Sequence, residues 1–186
     1  MKRRLLVAGL GLICVAGCAS TPTLATQAGR MMRYGSMPEQ PVLNSVDQQF
    51  VSAVGMGNAA EILLGGLAQQ RASLFDVNAY GRRMVEDHTK AKMDLELLMR
   101  GNIQVPQAPD AAHQAAYAKL SALSGRAFDL AFMQQMVADH TQTVGVFRME
   151  ISQGQNPSIK EWASATLPTI EDHLRSAQAL MKRLGE

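Results

Sequence analysis

Cysteine is almost missing from this chain: only two occur, Cys14 and Cys18. Cys14 falls in the leader described below, so the body has no disulfide, no thiolate metal site and no cysteine nucleophile. Aromatic residues make up only 5%, and no stretch alternates apolar with polar side chains as a half-buried strand does. Helix is the class that remains. Clusters of Lys and Arg are also missing, and without them phosphate backbones find no partner, which excludes nucleic acid. No Ser/His/Asp arrangement, phosphate loop or dinucleotide fingerprint is present, which sets hydrolase and nucleotide chemistry aside.

Residues 1–17 have the order of a lipoprotein signal peptide: Lys2, Arg3 and Arg4, an apolar run from Leu5 to Ala16, then small residues. The run is shorter than the ~20 residues a permanent membrane helix needs. Val15-Ala16-Gly17-Cys18 resembles a bacterial lipobox, which implies cleavage before Cys18 and lipid on that cysteine. The expected partner is therefore a membrane, reached through the anchor at Cys18. Ala19, where an Asp would mark retention, implies the periplasmic face of the outer membrane. Of the 18 Lys and Arg, three leave with the leader, so 15 face 16 Asp and Glu and the net charge becomes −1 instead of +2. Residues 18–44, with Pro22, Pro38 and Pro41 and no sustained period, read as the lipidated cysteine and a flexible tether. Met31, Met32, Tyr34 and Met37 are more apolar than a tether requires.

The body, residues 45–186, reads as four long helices, 46–71, 76–100, 126–152 and 158–184, with a short helix over 110–123 in the crossover. Ser45 is the expected cap of the first. Met84-Val85-Glu86-Asp87-His88-Thr89 on the second helix returns as Met136-Val137-Ala138-Asp139-His140-Thr141, and Glu171-Asp172-His173 echoes both. His88 lies 15 residues beyond Ser73, His140 15 beyond Gly125, His173 16 beyond Pro157, and Glu61 12 before Ser73. At ~1.5 Å per residue the four reach one layer in mid-bundle, each on the apolar stripe of its helix.

One inward polar residue per helix is how a bundle builds a metal site or a buried polar network. Three histidines and a carboxylate suit a transition metal such as zinc, copper or iron, whereas a network of imidazoles with Asp and Glu fixes helix register without any ion. The di-iron signature Glu-x-x-His is missing, because Val85, Val137 and Ile170 stand three before each histidine. Asp87, Asp139 and Asp172 point about 100° away from their neighbouring histidines and suit hydrogen bonds to a His on another helix. Met84 and Met136, four before His88 and His140, add a thioether reading for Cu(I), against ordinary core filling. His113 reads as a surface residue and Glu150 as a flank residue. Gly55, Gly57, Gly65 and Gly66 in the first helix call for close packing or a bend, and Pro168 for a kink.

Three motifs, M-V-x-D-H-T, F-x-x-x-M-V-x-D-H and L-P-x-I-x-x-H-L, together resemble the domain of unknown function 4142 family over residues 47–181. The resemblance implies an exported bacterial protein with an all-α, ferritin-like four-helix bundle, two hairpins joined by a crossover that carries the short helix. His88, His140 and His173, with Asp87 and Asp139 beside them, are the matching positions. No catalytic residue or substrate comes with it. The expectation is a non-enzymatic envelope or stress-associated lipoprotein, with a metal-dependent oxidase or peroxidase, or a copper binder, as the alternatives.

Overall fold

In the computed structural model, residues 42–101 and 103–185 are described, and they belong to one compact unit. The leader, Cys18 and the tether as far as residue 41 lie outside them, whereas Leu43 and Asn44, read as the end of the tether, pack on and cap the body. Five helices and no strand are present among the described residues: α1 Ser45–Arg71, α2 Phe75–Leu98, α3 Ala111–Ser121, α4 Gly125–Gln153 and α5 Pro157–Gly185. The protein is all-α, with helix boundaries within two residues of those the periodicity predicts.

Two short turns, 72–74 and 154–156, force α1/α2 and α4/α5 into antiparallel hairpins. The hairpins face each other, α1 against α4 and α2 against α5, so four long helices surround one interior. α2 ends where Met99 and Val105 join Phe50 and Phe147, and α3 returns along α1 and α4 until Leu120 reaches Phe128 at the other end. The crossover thus spans the length of the body.

Each hairpin's turn is held by an aspartate of the other. Asp129 of α4, fully buried, accepts from the Ser73 and Leu74 amides at 3.0 and 3.1 Å. Asp47 of α1, equally buried, accepts from Gln155 and Asn156 amides at 3.0 and 3.1 Å. The same Asp47 closes a capping box with Asn44, so Asn44 and not Ser45 caps α1. Asn156 and Pro157 start α5, the Asn156 side chain accepting from the Ser158 and Ile159 amides.

Glycines divide by what surrounds them. A Cβ on Gly65 would meet the Gly81 carbonyl at 2.6 Å, and one on Gly55 would meet Val105 and Pro106 at 2.8 Å, so both permit close approach. Gly57 and Gly66 have open space at that position, so close packing does not account for them. α5 continues without a break across the exposed Pro168. Glu150 is a correction to the sequence reading: it is fully buried at the turn end of α4, close against Gly154, with neither carboxyl oxygen hydrogen-bonded.

Candidate metal centre

Between the two apolar clusters lies a polar layer with one residue from each long helix. Glu61, His88, His140 and His173 are all at most 5% exposed. The three imidazole centroids are 5.3, 5.4 and 5.7 Å apart, and one ring nitrogen of each lies within 4.8 Å of one on each of the others.

Every ring holds an oxygen on one nitrogen. His140 Nδ1 meets the Met136 carbonyl at 2.9 Å, one helical turn back. His88 Nδ1 meets Asn58 Oδ1 at 2.9 Å, and His173 Nε2 meets Asp87 Oδ2 at 2.8 Å. Carbonyl and carboxylate oxygens only accept, so these nitrogens carry the protons. The others, His88 Nε2, His140 Nε2 and His173 Nδ1, are buried without a hydrogen-bond partner. No hydrogen bond joins one ring to another among the described residues.

Burial, reinforced by mutual repulsion, holds the imidazoles neutral. His88 is driven well below its usual value by burial and then by His140 and His173. His140 is lowered to about 4, chiefly by burial. His173 is lowered by burial against the opposing pull of Asp87. Glu61 moves the other way: burial first, and the charge of Asp139 second, raise it well above the usual carboxylate value. Its Oε1 lies 3.8 Å from His140 Nδ1, the nitrogen already committed to Met136, while Oε2 is unpartnered. Glu61 therefore stands beside the histidine cluster, on the protonated side of His140.

The three aspartates separate in role. Asp87 reaches across to His173 and also accepts from Arg83 at 3.2 Å. Arg83 in turn holds Asp172 at 2.8 Å, so Asp172 supports the layer through an arginine and bonds no histidine. Asp139 accepts from Gln135 and lies 3.5 Å from His113 on α3. That corrects the surface assignment of His113, which is half-buried between Asp139 and its own cap residue Asp110 at 2.8 Å. The pair of carboxylates raises the His113 imidazole to about 9. Met84 and Met136 are packed in the apolar cluster with Phe128 and Phe132.

The sequence model of a family described as a domain of unknown function, DUF4142, matches residues 34–180. The chain belongs to this family. No curated protein and no solved structure matches it. In this DUF4142 chain the layer is also reached from outside. A cavity of about 190 Å³ runs inward from α3 past Asp139 to Glu61, His88 and His140. A second, of about 320 Å³, opens between α2 and α5 and ends on His88 and His173.

Asn58 and Arg83 escaped the sequence reading, and His113 was read there as a surface residue. Asn58 is legible in retrospect, since it stands three residues before Glu61 on the same face of a largely apolar helix.

Proposed function

We propose that this protein binds one transition-metal ion through His88 Nε2, His140 Nε2 and His173 Nδ1. The observation that carries the reading is that the three unpartnered nitrogens belong to neutral rings whose other nitrogens are each fixed on an oxygen. A register-setting network would pair donors with acceptors. Here, three acceptor nitrogens are gathered with no hydrogen-bond partner, and leaving them so costs free energy that a cation would recover. Oxygen partners on the far nitrogens are what metal-binding imidazoles have, because they fix the tautomer and ring orientation.

Three neutral imidazoles suit zinc, copper or iron. Methionine sulfur gives the copper reading little support, since Met84 and Met136 fill the apolar cluster. Glu61 is assigned to the flank, beside the protonated nitrogen of His140 and outside the set of three ligand nitrogens. The antiparallel hairpins and long crossover support a ferritin-like bundle, but with a mononuclear three-histidine centre in place of the carboxylate-rich di-metal site. The setting we propose is a lipoprotein anchored through Cys18 on the periplasmic face of the outer membrane.

Elemental analysis of untagged protein, beside a His88/His140/His173 triple Ala variant, tests the centre. Near-stoichiometric metal in the parent and none in the folded variant is expected; no metal in either would refute it. A second reading, a metal-dependent oxidase or peroxidase, is favoured by one observation: two cavities reach the layer, whereas structural metal sites are closed. Consumption of oxygen or peroxide by iron-loaded protein is its test.

A further inference from the structure

The cavity that runs in from α3 has a division of lining that the metal alone does not require. Its inner end is polar, formed by Asn58, Glu61, His88 and His140. One wall is apolar, formed by Val54, Val146, Phe147, Trp162 and Ile170. Asp110, His113 and Gln142 surround the outer end. A volume of about 190 Å³ is somewhat larger than the ~150 Å³ apolar cavity that accepts a benzene ring.

We infer that this cavity is a binding site for a small, uncharged, single-ring organic molecule with one metal-coordinating donor, as in a phenol. The inference rests on the metal-centre reading. The ring would lie against the wall that Phe147 and Trp162 form together, their own ring centroids 5.9 Å apart, and the donor would reach the coordination position that three histidines leave open. Apolar walls with a few polar groups converging at one end are the usual form of a small-molecule site. A wide, water-filled approach to a metal would not need Val54, Phe147, Trp162 and Ile170 on its walls. Gly57 supplies a clean means of blocking the site: it lines the cavity, and a Cβ there meets nothing within 4 Å. Leucine at that position would project from α1 and take up part of the cavity.

Trp162 is the only tryptophan in the chain and lines both this cavity and the one between α2 and α5, so its fluorescence reports a ligand in either, and variants at Gly57 and Thr143, which line only the first, tell the two apart. Zinc-loaded protein would be titrated with 4-bromophenol, whose heavy atom quenches indole emission, and with bromobenzene, which has the ring but no donor. Saturable quenching by 4-bromophenol is expected, weakened at least tenfold in Gly57→Leu and at least tenfold for bromobenzene. Thr143→Leu, on the α4 side of the same cavity, should behave like Gly57→Leu, which guards against one variant failing to fold. Non-saturable quenching, or binding unchanged in both variants, would overturn the site; equal affinity for the two probes would overturn the donor's role. Retained zinc is measured separately on the same samples. Protein that holds no zinc but still shows quenching sensitive to Gly57→Leu would refute the metal centre and leave the ring pocket standing.

Discussion

A histidine becomes a ligand or a core residue according to what its second nitrogen does. In this layer the second nitrogens are held by three different kinds of oxygen: a backbone carbonyl, an amide and a carboxylate. Removing such a partner loosens the ring without deleting the donor. Asp87→Ala and Asn58→Ala are each expected to lower metal affinity about 10- to 100-fold, as read by competition with a chromophoric chelator. Unchanged affinity in both would mean the oxygens do not orient the rings. Glu150 gives a residue-scale prediction away from the layer. Burial, followed by the neighbouring Asp47 carboxylate, raises it from 4.5 to about 7, with Lys160 pulling weakly the other way. A carboxyl raised in the folded state binds its proton more tightly there than when unfolded, so its contribution is complete below about 4.5 and is lost as pH rises through about 7. The wild-type urea midpoint should therefore fall between pH 5 and 8 more steeply than that of Glu150→Gln; identical slopes would remove Glu150 as the cause.

At the scale of elements, α1 and α2 approach closely where Gly65 and Gly81 each stand against the other's carbonyl. A methyl group on Gly65 has no room at 2.6 Å from the Gly81 carbonyl. Gly65→Ala should destabilise by about 1–3 kcal/mol through overpacking, whereas Gly66→Ala, in open space on the same helix, should stabilise by up to about 1 kcal/mol. Thermal melts of the two variants decide this, and a shared direction of change would contradict it. The reciprocal aspartates work between elements. Asp47 and Asp129 each carry the orphan amides of the opposite hairpin's turn, so the two hairpins are tied at both ends by charge-assisted hydrogen bonds.

At the scale of the molecule, the apolar interior is divided into two clusters with the polar layer between them. An ion bound there draws on all three hairpin-borne rings at once and binds only the folded state. Metal at about 1,000 times its Kd should raise stability by about 4 kcal/mol, and a melting temperature indifferent to metal would argue against a preformed site. The proposed anchor is tested independently of the interior: Cys18→Ser should release the protein from membranes, and continued membrane retention would exclude lipidation as the tether.

The helices and the shared layer were legible in the sequence because both follow from local geometry. Periodicity of ~3.6 sets which face is apolar, and a rise of ~1.5 Å per residue sets depth, so counts of 15, 15 and 16 from three turns place His88, His140 and His173 nearly level. The all-α class followed from the same periodicity. Which nitrogen each ring leaves free did not follow, because it depends on side chains brought from 30 and 86 residues away to 2.9 and 2.8 Å. For the same reason Asp87 and Asp172, in like positions beside their histidines, took different partners: the bond that Asp87 makes to His173 crosses from α2 to α5, while Arg83 lies in reach of Asp172. His113 was read as a surface residue and Glu150 as a flank residue because neither shares the spacing of the common layer, and only the packing of α3 on α4, and of the α4–α5 turn on α1, buried them. Spacing along a helix is a property of the chain alone; hydrogen-bond partners and enclosed volume belong to the packed structure.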